Sequence, residues 1–270
     1  MDLLLQASTA ELLSRVAAVS CEDESRESDE LWALVHELRR RGDVEIFRAA
    51  VGRSTAEAPA LRCLSADLLG QLGHEQSYPF AIESAPTLAK LMGDADPGVI
   101  ACALIAFGHL RLGDTAFIAD LASHPDARVR HAVAVCLGPR EEETATRTLT
   151  LLSRDDDRDV RDWATFGLGS MTVADSPAVH EALTARLGDS DHEVRGEAMV
   201  GLARRKVRQV IPAVLAELRG TASVLAIEAA GELADPIFVP ELEQLLLTNP
   251  GDGGISAALE QCRGLTPGLR

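Results

Sequence analysis

Four His-Glu dipeptides punctuate this chain: His36-Glu37, His74-Glu75, His180-Glu181 and His192-Glu193. An imidazole beside a carboxylate is a pairing that can hold iron or zinc, so each is a candidate half-site for a metal. A second group invites different chemistry. His131, Asp162, Trp163, Glu197 and Glu228 fall in the first turns of segments that share one pattern. An indole among carboxylates suits a cation: a guanidinium or ammonium stacks on the ring while the acids meet its charge. The five cysteines (Cys21, Cys63, Cys102, Cys136 and Cys262) are odd in number and form no C-x-x-C pair. That spacing fits neither a disulfide framework nor a zinc site. The chain contains no Ser-His-Asp, Walker A, G-x-G-x-x-G or H-E-x-x-H arrangement. Gly167-Leu168-Gly169-Ser170 follows a helical pattern rather than a strand, so it reads as a helix terminus and not as a phosphate loop.

The elements that must carry these residues are set by an internal repeat. Four segments align without gaps: DPGVIACALIAFG from Asp96, DARVRHAVAVCLG from Asp126, DRDVRDWATFGLG from Asp157 and DHEVRGEAMVGLA from Asp191. Their valines, Val99, Val129, Val160 and Val194, are 30, 31 and 34 residues apart. Four positions on come Ala103, Val133, Ala164 or Ala198, and eight on come Phe107, Leu137, Leu168 or Leu202. Positions 0, 4 and 8 form one apolar stripe on a helix. The preceding Asp is placed to cap the helix, accepting bonds from free first-turn amides. The closing glycine is expected to end the helix in a left-handed residue. Degenerate copies from Leu61 and Leu225 lack the Asp cap. Between these helices run shorter amphipathic segments at 83–93, 114–123, 143–153, 176–188 and 207–220, each the expected first helix of a pair. Ser8 to Glu11 reads as a capping box opening one helix, and 31–41 as another. Residues 238–247 and 254–262 read as a closing hairpin. The acidic run at 21–30 is expected to be a loop. A single pair cannot cover its own apolar face, so neighbouring pairs must stack into a continuous core.

Composition narrows the function. The chain has 270 residues and is 46% apolar but only 3% aromatic, which favours helices built on Leu, Ala and Val. It has 42 acidic against 26 basic residues, a formal charge of −16. Such a chain is repelled by phosphate backbones and anionic lipid, so neither nucleic acid nor a membrane is expected as a partner. Asp2 stands where a signal peptide carries positive charge, and no stretch reaches the length of a membrane span. The expected location is cytoplasmic.

The D-x-x-V-R-x-x-A-x-x-x-L-G pattern resembles the HEAT-like repeats of the phycobilisome-lyase type, over roughly Leu61 to Asp235. The resemblance implies an all-α fold, a right-handed α-solenoid of stacked antiparallel helix pairs. The expected organisation is one solenoid domain over 1–270: an N-terminal helical cap at 1–55, repeats at 56–235, and a capping hairpin and tail at 236–270. Three enzyme readings come with this repeat type. Deoxyhypusine hydroxylase holds two irons with His-Glu pairs two and three residues after the repeat valine. Here those positions are Ala101 and Cys102, His131 and Ala132, Asp162 and Trp163, Gly196 and Glu197. His131 lacks its Glu and Glu197 its His, so no metal is expected. The HEAT-like DNA glycosylases line a groove with basic residues, Trp and Asp. Asp162-Trp163 matches in type, but the recurring Arg130, Arg161 and Arg195 are better read as a ladder pairing with the Asp caps of neighbouring repeats. A bilin lyase or isomerase would need an aromatic cage, and Trp163 with Phe166 is the only close aromatic pair in the four aligned segments.

The expectation is therefore a non-catalytic scaffold or adaptor with no cofactor and no catalytic residue. It would recognise a partner protein, or a basic segment of one, on a concave face lined by His131, Asp162, Trp163, Glu197 and Glu228. A lyase- or isomerase-type enzyme acting on a bound small molecule or chromophore is the alternative, and a DNA glycosylase the third reading. The sequence leaves the oligomeric state open.

Overall fold

The computed structural model describes residues 6–22 and 29–264, which contain α-helices, short 3-10 turns and one π turn, with no strand among them. The fold is an all-α solenoid of stacked helix pairs. The chain forms two compact units, Met1–Cys136 and Leu137–Arg270. The first unit pairs α1 (Thr9–Glu22) with α2 (Asp29–Arg41), α3 (Val44–Arg53) with α4 (Pro59–Gln71), and α5 (Ala81–Leu91) with α6 (Pro97–His109). The short α7 (Thr115–Ala119) precedes α8 (Ala127–Leu137), which ends at the boundary. In the second unit the pairs are α9 (Glu143–Leu152) and α10 (Arg158–Phe166), α11 (Pro177–Arg186) and α12 (His192–Arg204), α13 (Ile211–Arg219) and α14 (Val224–Leu233), α15 (Val239–Thr248) and α16 (Gly253–Cys262).

The aspartates of the pattern are caps. Asp96, Asp157 and Asp191 are extended at ψ 119°, 132° and 134°, and each accepts bonds from the next two available amides of its helix. Asp126 takes the Arg128 amide at 2.9 Å. Ser8 and Glu11 close the expected capping box, with bonds of 2.7 and 3.2 Å in the two directions. The repeat valines and the residues four and eight positions on are buried in every copy, the Val, Leu and Phe side chains contributing about 1.5–3 kcal/mol each. Cys63, Cys136 and Cys262 are buried too. The acidic run is outside the described residues over 23–28, and Asp29 and Glu30 already belong to α2.

Three expectations need correction. Residues 114–123 are not one α-helix: α7 stops at Ala119, and a 3-10 turn covers Asp120–Ser123. Pro125 holds His124 extended, so the helix has no room to continue. The repeat glycines do not end their helices in left-handed residues. A Cβ on Gly70 would stand 2.5 Å from Ala106 Cβ, one on Gly108 3.2 Å from Cys136, and one on Gly169 3.2 Å from Gly201 Cα. These glycines bring second helices of adjacent pairs into close contact. The arginine ladder also has a different partner. Arg161 forks onto Asp189, two residues before the cap, at 3.0 and 3.2 Å, and caps the carbonyls of Asp155 and Asp156. Arg62 does the same with Asp94. The cap Asp191 instead receives Arg158 at 2.8 Å.

The close layer matters for function. In the second unit α10, α12, α14 and α16 pack directly on one another in sequence, while the first helices touch far less. The tight layer therefore sets corresponding turns of α10, α12, α14 and α16 side by side.

Candidate functional site

Asp162, Trp163, Glu197 and Glu228 all lie on the tight layer of the second unit, on α10, α12 and α14. α10 opens at its Asp157 cap, buries Val160 and Ala164, and leaves Trp163 at the flank of that stripe, 36% exposed. The indole meets Phe166 edge-on, ring centres 5.7 Å apart at 84°. Asp162, its neighbour, is half-buried, and its Oδ1 is buried without a hydrogen-bond partner. Loss of water raises its pKa, the Arg158 guanidinium opposes that, and Glu193, Asp191 and Asp159 add to it.

Glu197 is the most perturbed acid of the group. Burial, then the charges of Asp162 and Glu228, push its pKa from 4.5 up to about 7. Ser170 Oγ donates to it at 3.4 Å, and Arg204 lies near enough to oppose the rise. Arg204 joins the last acid of the line, donating to Glu228 at 2.8 Å with Glu232 at 3.6 Å.

A π turn positions this line, and the sequence reading did not find it. α10 continues through Gly167–Met171 with Thr172 N–H bonding Gly167 carbonyl at 3.1 Å. Gly169 there lies against Glu197: a Cβ on it would stand 2.9 Å from that residue's carbonyl oxygen. The widened turn is clasped by Arg205, whose guanidinium donates to the carbonyls of Leu168, Gly169, Thr172, Ala174 and Gly201 at 2.7–3.0 Å. π turns are uncommon and concentrate at functional sites. The paired glycines of Gly167-Leu168-Gly169 were the available sign, but glycine spacing alone does not distinguish a π turn from a helix end. Ser170, Arg158 and Arg204 are the other residues that the sequence reading missed.

His131 is in α8 of the first unit, half-buried. The structure thus brings together Asp162, Glu197 and Glu228, with Trp163 beside them, while His131 belongs to the other compact unit. The His-Glu dipeptides are dispersed among structural duties. Glu37 is buried under Arg40 and Arg41, at 2.9 and 2.8 Å. His74 meets His36 edge-on, and His180 approaches Asp175 at 2.5 Å. No group of three or more His, Cys, Asp or Glu among the described residues could hold a metal ion.

A family model for HEAT repeats matches residues 85–169, which run from α5 through α10 into the π turn. These residues carry HEAT repeats. The chain's curated relatives include Protein YibA of Escherichia coli K12 and of Escherichia coli O157:H7, each 31% identical over 136 residues. That match takes in 50% of this chain and 48% of either relative, so the chain spans about half the length of the curated relatives it matches. The X-ray structure of Escherichia coli YibA superposes on 97% of the HEAT-repeat chain and 94% of its own, with a TM-score of 0.72 at 22% identity. An engineered protein matches over 94% of this chain and 77% of its own, with a TM-score of 0.54 at 18% identity. At these identities the likeness is one of fold. No helix among the described residues is long and apolar enough to cross a membrane.

Proposed function

We propose that this HEAT-repeat protein is a cytoplasmic, non-catalytic adaptor that binds a partner protein, through a basic segment of it, along the tight layer of second helices. The observation that carries the reading is the acid line itself. Burial, together with the charges of Asp162 and Glu228, pushes Glu197 up to about 7. Like charges held together in partial burial are costly to the free chain, and a cation laid across them removes that cost. Trp163 offers the same cation a flat, half-exposed ring. His131 holds the matching position of α8 in the first unit and is part of the proposed partner-binding set. The overall charge of −16 steers a basic partner inward and nucleic acid away.

The test is affinity purification with wild-type and Trp163→Ala chains in parallel, with melting temperatures measured on both. Removing an anchoring aromatic from an interface centre commonly costs about 2 kcal/mol or more, some thirtyfold in affinity. A partner lost from Trp163→Ala at unchanged melting temperature supports the adaptor. A partner retained by the folded variant returns Trp163 to the core and removes the anchor.

One observation favours a second reading, a lyase or isomerase acting on a small molecule. A carboxyl with a pKa of about 7 next to a second raised one is suited to general acid–base work at neutral pH. Under that reading Glu197→Gln abolishes turnover of a bound compound. Under the adaptor reading the same change only slows association and weakens its salt dependence.

A further inference from the structure

Beyond Glu228 the tight layer opens into a cleft of about 330 Å³ between α14 and α16. Its apolar walls include Val224, Ile227 and Ala257, and its polar groups include Glu228, Glu232 and Asp252. The volume is at the small end of ligand clefts, which run about 300–1,000 Å³. That is room for one long side chain and too little for a folded segment. Gly231 keeps the cleft open: a Cβ there would stand 2.3 Å from Gln261 Oε1 and 3.3 Å from Ala258 Cα. Val224 is 79% exposed at its mouth.

The charges around the cleft indicate its occupant. Three carboxylates face it. Against them stand Arg204, on Glu228 and Glu232 at 2.8 and 3.6 Å, and Lys206, whose ammonium donates to the Glu232 carbonyl. Asp252 spends one oxygen on the amides of Gly254 and Ile255 as the cap of α16. One acid therefore remains in excess. Arg204 already reaches both glutamates, so the acid in excess is Asp252, beside Glu232 in the lining of the cleft. A guanidinium is planar and forks, whereas an ammonium is a compact, strongly hydrated point charge that gains less from two separated acids and an apolar wall.

We infer that this cleft is a specificity pocket for one arginine side chain of the partner's basic segment, its stem against Ile227 and Ala257 and its guanidinium between Glu232 and Asp252. The inference rests on the adaptor reading and adds to it a preference for arginine over lysine.

The experiment titrates fluorescein-labelled, end-capped hexa-arginine and hexa-lysine peptides against wild type and three variants, followed by fluorescence anisotropy in physiological salt. Ala257 is exposed, so Ala257→Trp fills the cleft without altering charge or core. Glu232→Gln removes one acid and keeps the shape. Trp163→Ala reports on the groove alone. The expected result is tighter binding of hexa-arginine than of hexa-lysine. Ala257→Trp and Glu232→Gln should each weaken the arginine peptide about tenfold, the loss of one anchor, and should draw the two peptides level. Affinity for hexa-arginine that Ala257→Trp and Glu232→Gln leave unchanged overturns the pocket. If Trp163→Ala weakens it nonetheless, the adaptor groove stands without the pocket. If the two cleft variants weaken binding and Trp163→Ala does not, the pocket stands and the groove loses its anchor. Equal affinity for both peptides in the wild type overturns the arginine preference, and binding of neither overturns both readings.

Discussion

Glu197→Gln should stabilise this protein at alkaline pH and lose that advantage in acid. In the folded chain the Glu197 carboxyl titrates at about 7 against an ordinary 4.5. A folded value above the unfolded one means that the native state holds the proton more tightly. The ionised side chain therefore costs stability, a cost that is absent below about pH 4.5, grows as pH rises, and is complete above about 7. The full displacement corresponds to about 3 kcal/mol. Glu197 is only half-buried, and water screening reduces this to about 1–2 kcal/mol. Glutamine keeps the shape and can still accept from Ser170, so the substitution removes charge and little else. For a chain of this size the melting temperature should rise by about 2–4 °C per kcal/mol. The assay is the melting temperature of wild type and variant at pH 8 and pH 5, with Ser170→Ala as a control for the hydrogen bond alone. An equal gain at both pH values would show that the effect is packing and not charge. No gain at pH 8, or a loss there, would refute the electrostatic account of the acid line. The same substitution tests a trade between stability and function, because a basic partner should bind it more slowly.

Three further perturbations probe the frame around the site. Asp157→Ala and Asp191→Ala should each cost about 1 kcal/mol as lost helix caps; Asp191 has the larger effect because it also holds Arg158, and urea midpoints will rank them. Gly201→Ala should cost about 1–3 kcal/mol, because its Cβ would stand 2.5 Å from Gly169 Cα; a neutral result in thermal unfolding would mean that α12 and the π turn separate freely. Arg205→Ala leaves the carbonyls of the π turn without their guanidinium and should cost at least about 2–3 kcal/mol, with hydrogen exchange speeding first at residues 167–174 and Glu197 moving back toward an ordinary carboxylate.

What the sequence by itself determined is what depends on neighbours a turn away. The Asp at the N-cap, the apolar residue at every fourth position and the 30- to 34-residue step each act within one helix or between adjacent copies. They were sufficient for an all-helical stack and for placing Asp162, Trp163, Glu197 and Glu228 at corresponding positions of their helices, although the helix starts put these in the second turn and not the first. The short α3 was not read, although Asp43 caps it by accepting from Ile46 N–H at 3.0 Å, because its ten residues fall outside the repeat. Tertiary structure decided the rest. Gly70, Gly108 and Gly169 have the spacing of helix ends, yet the backbone of the next repeat uses them for close approach. Arg161 could reach either Asp189 or Asp191, and only the stacking offset between pairs selects Asp189. The proton on Glu197 depends on water removed by the π turn and on carboxylates from two other helices, 35 residues before it and 31 after it in the chain. No local pattern records such distances, because desolvation and charge act through space while helix propensity acts along the chain.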